Sequence, residues 1–144
     1  MKLFTIGYQT ATQGDVIDRL KRAGVELLID VRAVAASRRA GFSKRLLAAG
    51  LAEAGIDYVH LRALGTPAAG RTAARAGRTA EMQSIYTAYL DHEPAAESEL
   101  AQAEALAAER PAALLCLEAD AAVCHRRLIA ERLKARAGFE VVDL

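Results

Sequence analysis

Polar side chains that could carry acid–base, nucleophilic or anion-binding chemistry follow the apolar runs of this 144-residue chain. Asp30 and Arg32 end the second run, His60 ends the third, and Cys116 and Glu118 end the fourth. Ligands of open parallel sheets bind at the carboxyl ends of the strands, so we expect these groups to share one edge. Arginine there could hold an anion while carboxylates and histidine exchange protons. The sequence therefore predicts one polar, anion-binding pocket.

A second signal comes after the fourth run, where the segment 124–127 (Cys-His-Arg-Arg) opens a predicted helix. The free backbone N–H groups of a helix start form a ready anion site. Arg126 in that first turn opposes the usual preference for acids there, and a bound anion would relieve the conflict. The alternative is that one arginine points to solvent while the other pairs with Glu131 or Asp120.

The two cysteines leave several interpretations open. Cys116, which ends a strand before a helix, could be an activated nucleophile or an ordinary small hydrophobic residue. Cys124 could cap the helix, form a disulfide with Cys116, or pack. Both cysteines could bind a metal with His60 and His125, but their spacing matches no standard zinc pattern, so we predict no metal and no other cofactor.

A basic turn at 37–44 completes the candidate set. Its cations surround Gly41 and could grip phosphate or carboxylate, while Phe42 either packs as a hydrophobic staple or stacks on a base. The candidate catalytic residues are Asp30, His60, Cys116 and Glu118. The candidate substrate-binding residues are Gly7, Tyr8, Arg32, Arg38, Lys44, Cys124, His125 and Arg126.

The elements that must position these residues follow from hydrophobic patterning. Buried strands are predicted at Leu3–Ile6, Val25–Val31, Ile56–Leu61, Ala112–Leu117 and Phe139–Val142. Helical stripes lie between them, the first capped by Thr12. This alternation predicts a single α/β domain over residues 1–144, with three layers and a mainly parallel sheet of about five strands flanked by helices. Residues 62–78, rich in glycine with one proline, are predicted to be a long irregular loop.

Composition narrows the classes of function. Hydrophobic residues make up 53% and charged residues 26%, which predicts a folded core. The net charge is +1, but basic residues cluster at 32–45 and 71–78 and acidic ones at 91–109, which indicates two oppositely charged faces. Aromatic residues at 5% argue against a base-stacking platform.

The N-terminus has no signal-peptide pattern, no segment could span a membrane, and two cysteines make no disulfide framework, so we expect a cytoplasmic location.

The motifs taken together resemble the DUF488 family. They are Thr5–Tyr8, Asp30–Arg32, Ser37-Arg38, Gly41–Lys44, Leu64–Pro67, Leu114–Glu118 and Cys124–Arg126. The resemblance runs from Phe4 to Val142 and implies that these polar positions form the family's pocket. Tyr8 stands where the family usually has histidine, and Ala40 where proline is common. The segment Leu28–Arg32 and the strand–Cys116–loop–helix unit are also similar, more weakly, to rhodanese sulfurtransferases.

The leading functional hypothesis is an enzyme that acts on an anionic, phosphate-bearing substrate such as a nucleotide or a nucleic-acid end. In this hypothesis the anion is held by Arg32, Arg38 and Arg126. Glu118 or Asp30 serves as general acid or base, and His60 assists.

Two other classes of function fit the same residues. One is a rhodanese-like thiol enzyme that uses Cys116. The other is a non-catalytic module that binds nucleic acid or a nucleotide through the basic segments 32–45 and 71–78, with an affinity that falls steeply with salt. The expected partners are thus an anionic small molecule or nucleic acid and no membrane, and a homodimer that buries Ala/Leu faces is possible.

Overall fold

Five short strands form one fully parallel sheet in the computed structural model, which describes residues 1–144. The strands are β1 (Lys2–Gly7), β2 (Leu27–Asp30), β3 (Asp57–His60), β4 (Ala112–Cys116) and β5 (Glu140–Asp143). The helices are α1 (Gln13–Arg22), α2 (Lys44–Glu53), α3 (Ala68–Arg75), α4 (Thr79–His92), α5 (Pro94–Glu109) and α6 (His125–Ala137). The strand order is β3-β2-β4-β1-β5, which confirms the predicted α/β class and parallel sheet.

Helices cover both faces of this sheet because successive strand residues point to opposite sides. Leu114 belongs to a core with residues of α3, α4, α5 and α6. Its neighbour Leu115 belongs to a second core with residues of α1 and α2. The buried strands therefore read as continuous apolar runs rather than as alternating ones, and the molecule has the predicted three layers.

Local sequence signals explain where several helices begin and end. The Thr12 side chain accepts a hydrogen bond from the Asp15 backbone at 3.1 Å, and the Asp15 carboxylate accepts one from the Thr12 backbone at 3.1 Å. This reciprocal capping box confirms the predicted cap of α1. Gly138 follows α6 with a φ of 75°, the left-handed conformation that ends many helices.

The prediction of a long irregular loop over residues 62–78 is wrong. The segment contains a 3₁₀ turn at Arg62–Leu64 and the helix α3 at Ala68–Arg75. The alanines and arginines of 68–76 favour a helix, and Pro67 stands directly before it, where proline is tolerated. Gly77, with a φ of 76°, lies beyond the helix end. The glycines and proline that suggested a loop mostly mark the boundaries of a helix.

Strand register brings the candidate polar residues to one edge of the sheet. Gly7 of β1 lies beside Cys116 of β4, and Asp30 of β2 lies beside His60 of β3. Because all strands run in the same direction, these pairs mark the carboxyl ends of four neighbouring strands.

No helix of the structure combines the length and the apolar character needed to cross a membrane.

Gly7 allows an unusually close approach between β1 and the loop after β4. A Cβ atom at this position would lie 1.8 Å from the carbonyl oxygen of Glu118. We expect Gly7→Ala to lower the free energy of unfolding by about 1–3 kcal/mol, as overpacking does. Gly14→Ala is the matched control, because its Cβ would have only the Thr12 hydroxyl nearby, at 3.9 Å. Urea denaturation of both variants checks this, and equal stabilities would contradict it.

Candidate functional site

A cavity of about 430 Å³ opens at the carboxyl edge of the sheet, between the strand ends and α3. This volume lies within the usual range for small-molecule sites. Its polar and charged lining comes from four separate segments of the chain. The lining residues of this kind are Tyr8, Arg32, Thr66, Arg71, Arg75, Cys116, Glu118 and His125.

The Cys116 thiol is placed between two proton acceptors. Its Sγ lies 3.2 Å from Glu118 Oε2 and 3.3 Å from His125 Nδ1. The thiol is buried at the end of β4, yet it lines the cavity. One thiol proton can therefore pass to either a carboxylate or an imidazole, and the sulfur faces the space where a ligand would bind.

The far side of the imidazole fixes how His125 can act. Its Nε2 lies 2.7 Å from the Val31 carbonyl oxygen. A carbonyl only accepts hydrogen bonds, so Nε2 carries a proton and Nδ1 is the nitrogen that exchanges one with the thiol. The Tyr86 ring packs edge-on against the imidazole, with 5.3 Å between ring centroids. His125 is thus held in one orientation and one tautomer.

Electrostatics separate the roles of the two thiols. Burial lowers the pKa of His125. Its hydrogen bond to Cys124, the charge of Cys124, the hydrogen bond to the Val31 carbonyl and the charge of Glu118 all raise that pKa. These effects outweigh burial, so the pKa of His125 is raised overall. Burial raises the pKa of Cys124 well above its usual value. By distance Cys116 is the closer partner of Nδ1, since Cys124 Sγ lies at 3.9 Å. Cys116 is the thiol placed to react.

Asp30 and Arg32 form a buried ion pair. The Asp30 carboxylate accepts Arg32 Nε–H at 2.9 Å and Nη2–H at 2.7 Å, and it also accepts the Tyr58 hydroxyl. Arg32 Nη1 donates to the Tyr8 hydroxyl at 3.1 Å and to the Phe42 carbonyl at 2.7 Å. Burial, followed by the hydrogen bond to Asp30, raises the pKa of Tyr58. Arg32 therefore keeps one free Nη2–H for a ligand, while Asp30 holds Arg32 in place.

His60 lies behind this ion pair rather than in the cavity. Its Nε2 is 2.7 Å from the Arg32 carbonyl oxygen, and it is not among the lining residues. This hydrogen bond fixes the chain just after β2. Within the structure His60 supports the backbone that carries Arg32.

Arg126 points into the protein and not into the cavity. Its side chain is 0% exposed and donates to the Thr5 hydroxyl at 3.2 Å, to the Ala119 carbonyl at 3.3 Å and to the Glu118 carbonyl. The guanidinium thus fixes the loop that carries Glu118. Arg127, the next residue, pairs with Glu131 at 3.0 Å on the surface, as the alternative interpretation expected. The other half of that interpretation, an arginine pointing to solvent, is wrong, because Arg126 is buried.

The remaining sequence candidates lie around the cavity. Arg38 and Lys44 are exposed outside it, and Cys124 is buried behind Cys116. Gly7 packs on the Glu118 carbonyl. Phe42, the ring proposed either to pack or to stack on a base, is buried and stacks on Tyr8, with centroids 4.3 Å apart.

Two lining arginines were missing from the candidate list. Arg71 and Arg75 lie four residues apart on α3 and form no ion pair with any acid. Arg71 donates to the Thr66 carbonyl at 2.8 Å, which fixes its side chain beside the cavity. The charge pattern of the sequence identified 71–78 as a basic segment. Because the helix α3 was not predicted, the direction in which its arginine side chains point was unknown. Spacing of i,i+4 on a helix would have placed both on one face.

One group of donor atoms could hold a metal ion. The thiols of Cys116 and Cys124 and a ring nitrogen of His125 lie within 4.8 Å of one another. His60, which the sequence offered as one of four conceivable ligands, is absent from this group, and its Nε2 contacts the Arg32 carbonyl. Glu118 lies next to the group, with Oε2 3.2 Å from Cys116 Sγ.

The fold and this cavity define a class of small three-layer α/β domains with a thiol and arginines at the carboxyl edge of the sheet. The chain belongs to the DUF488 family, whose description is "Domain of unknown function DUF488" and whose family model matches residues 12–133. This confirms the family expected from the motifs. Searches of curated proteins and of solved structures gave no significant match. None of the comparisons supports the similarity to rhodaneses.

Because Arg126 is buried and hydrogen-bonded, its replacement is expected to destabilise the protein strongly. We expect Arg126→Ala to lower the free energy of unfolding by about 3 kcal/mol or more, because it leaves buried carbonyls unpaired and opens a cavity. The control is Arg127→Ala on the same helix, which removes only a surface ion pair and should cost less than about 1 kcal/mol. Chemical denaturation of both variants measures the difference, and similar values for the two would refute the buried network.

Proposed function

We propose that this protein is a cysteine-dependent enzyme that hydrolyses a small phosphate-bearing anion in the cavity at the carboxyl edge of the sheet. The observation that carries the proposal is the placement of Cys116 Sγ, 3.3 Å from His125 Nδ1 and 3.2 Å from Glu118 Oε2, on the cavity wall. It combines the anion chemistry expected from the motifs with the thiol chemistry expected as an alternative.

Around the Cys116 thiol, Glu118 is placed to act as base, the imidazole to stabilise the thiolate, and the Val31 carbonyl to orient the imidazole. An activated thiol needs a base within hydrogen-bond reach or a cationic neighbour, and the neighbour must be held in place by a further group. The hydrogen bond from Nε2 to Val31 supplies the third element at 2.7 Å. When protonated, His125 can donate from Nδ1 to a thiolate, and its raised pKa favours that form.

Arginine side chains support an anionic substrate. Arg71 and Arg75 carry charges that no acid neutralises, and Arg32, which lines the cavity, keeps one N–H group without a protein partner. Guanidinium groups bind phosphate through paired N–H donors and remain charged at all physiological pH values. The lining contains three arginines but only one acidic residue, Glu118. The cavity therefore has an excess of positive charge, which suits a phosphate dianion.

The proposed reaction has two halves, with Cys116 as nucleophile and Glu118 as proton carrier. The Cys116 proton moves to Glu118, and the thiolate forms a bond to phosphorus. The bond from phosphorus to the ester oxygen breaks, and that oxygen keeps the electron pair and takes the proton from Glu118. Water then attacks phosphorus and gives a proton to Glu118, the sulfur–phosphorus bond breaks, and the thiolate regains its proton. The net products are an alcohol and inorganic phosphate.

The size of the cavity favours a small molecule over a nucleic-acid duplex or strand. Its volume of about 430 Å³ suits one ligand of modest size, and its aromatic lining is Tyr8, which is itself stacked on Phe42. Arg38 and Lys44 lie outside it. Rhodanese-like persulfide chemistry is less favoured, because eight residues with a 3₁₀ turn separate Cys116 from α6 and leave no tight anion loop around the sulfur.

The first prediction from this proposal concerns thiol reactivity. At about pH 7 we expect iodoacetamide to label Cys116 of the full chain at least roughly tenfold faster than in His125→Asn, since the imidazole promotes thiolate formation. Peptide mass spectrometry follows the label on each cysteine. His92→Asn, an exposed histidine at the end of α4, serves as control and should label like the wild type. Equal rates in folded His125→Asn, checked by circular dichroism, would exclude the proposed pair.

The second prediction concerns turnover. A panel of small phosphate monoesters should yield a substrate whose hydrolysis is lost in Cys116→Ser and falls by at least about a hundredfold in Glu118→Gln. Arg71→Gln should mainly raise KM, whereas Arg78→Gln, a surface arginine paired with Glu81, should leave KM unchanged. Phosphate release measures all four. Full activity of Cys116→Ser on that substrate would overturn the thiol mechanism, and a panel without any turnover would remove the proposed function.

A further inference from the structure

We infer that Cys116, Cys124 and His125 form a binding site for a thiophilic divalent cation, with Zn²⁺ as the best match and with Glu118 beside the open fourth position. This inference goes beyond the proposed function, because a Cys116 sulfur bound to metal is no longer a free nucleophile. It also departs from the expectation of no metal, which rested on the spacing of the cysteines and histidines along the chain.

The imidazole nitrogen lies at nearly tetrahedral spacing from both sulfurs. Zinc bonds of about 2.3 Å to sulfur and 2.0 Å to nitrogen place neighbouring sulfur and nitrogen ligands about 3.6 Å apart in a tetrahedron. The distances from His125 Nδ1 are 3.3 Å to Cys116 Sγ and 3.9 Å to Cys124 Sγ. All three of these donor atoms lie within 4.8 Å of one another. Glu118 Oε2, at 3.2 Å from Cys116 Sγ, lies beside this group on the cavity side.

The surroundings of His125 match those of a metal ligand. Histidines that bind metal almost always donate their other N–H to a carbonyl or carboxylate, which fixes the ring and its tautomer. Here Nε2 points to the Val31 carbonyl at 2.7 Å, so Nδ1 faces the two sulfurs. The ring is further fixed by Tyr86. This orientation directs Nδ1, the nitrogen that would bind the ion, at the two sulfurs.

The site is closed on the protein side and open on the cavity side. Cys116, Cys124 and His125 are 4%, 2% and 7% exposed, whereas Glu118 is half-buried and lines the cavity. Cys116 ends β4, and Cys124 directly precedes α6, so regular elements hold both sulfurs. An ion would thus be held by three inner ligands, and Glu118 would occupy the position that faces the cavity.

Binding has a defined proton balance and a defined consequence. The cation displaces the protons of both thiols, forms two metal–sulfur bonds and one metal–nitrogen bond, and releases two protons to solvent. No electron is transferred. Because the sulfur of Cys116 then shares its lone pair with the metal, alkylation and nucleophilic attack by Cys116 stop until a chelator removes the ion.

Cobalt(II) tests the site directly, because its absorption spectrum reports thiolate ligands and coordination number. Added to the reduced, chelator-treated full chain, one equivalent of Co²⁺ should give thiolate-to-cobalt charge-transfer bands and the visible bands of tetrahedral cobalt. One equivalent of Zn²⁺ should abolish both. We expect Cys124→Ser to weaken binding by at least about tenfold, and His92→Gln, remote from the site, to bind like the wild type. Wild-type protein without charge-transfer bands would overturn the inference, as would equal binding by folded Cys124→Ser.

Alkylation separates this inference from the proposed function. Zn²⁺ should protect Cys116 from iodoacetamide, and a chelator should restore its labelling. Rapid labelling of Cys116 that Zn²⁺ does not slow, with no cobalt bands, would refute the metal site and leave the proposed nucleophile standing. Cobalt bands together with a Cys116 that is unreactive after chelation would support the metal site and count against the proposed enzyme.

Discussion

The buried guanidinium of Arg126 joins three parts of the molecule that are far apart in sequence. It binds the Thr5 hydroxyl on β1 and the carbonyls of Glu118 and Ala119 after β4, while its own backbone lies in the first turn of α6. Thr5 in turn donates to Asp143 on β5. The backbone that carries Glu118 can follow this path because Gly7 has no side chain to block it. The geometry of the thiol site depends on this one network.

A second buried cation sets the other wall of the cavity. Arg32 is held by Asp30 on two sides and by the Tyr8 hydroxyl and the Phe42 carbonyl on a third. Burial lowers the pKa of the Arg32 guanidinium, but the hydrogen bond and charge of Asp30 outweigh burial and raise it overall. Truncating Asp30 would leave an unpaired buried charge, which is strongly destabilising. Two of the arginines expected to hold substrate are thus mainly structural.

Much of the fold could be predicted from the sequence, because apolar runs and cap residues report directly on strands and helix ends. The five strands lie where their apolar runs indicated, and Thr12 caps α1 as its spacing with Asp15 suggests.

Helix α3 was missed, since Gly70 and Pro67 were given more weight than the alanines around them. Leu46 of α2 is 60% exposed although it is apolar, so residue type alone does not indicate its burial. The gathering of polar residues at strand ends followed from parallel topology, but the direction of each side chain did not. Arg126 and Arg71 show this, because only tertiary packing turns one inward and the other toward the cavity.

The strand order has a consequence for how the protein folds as it is synthesised. β1 and β2 are not neighbours in the sheet, because β4 lies between them and pairs with both. A nascent chain that has not yet reached residue 112 therefore contains the first two strands without the one that joins them. Cys116, its acceptors and the edge they share come into existence only after more than three quarters of the chain has left the ribosome. Long-range parallel pairing of this kind folds slowly, so the half-made sheet depends on protection of its open edges until β4 arrives.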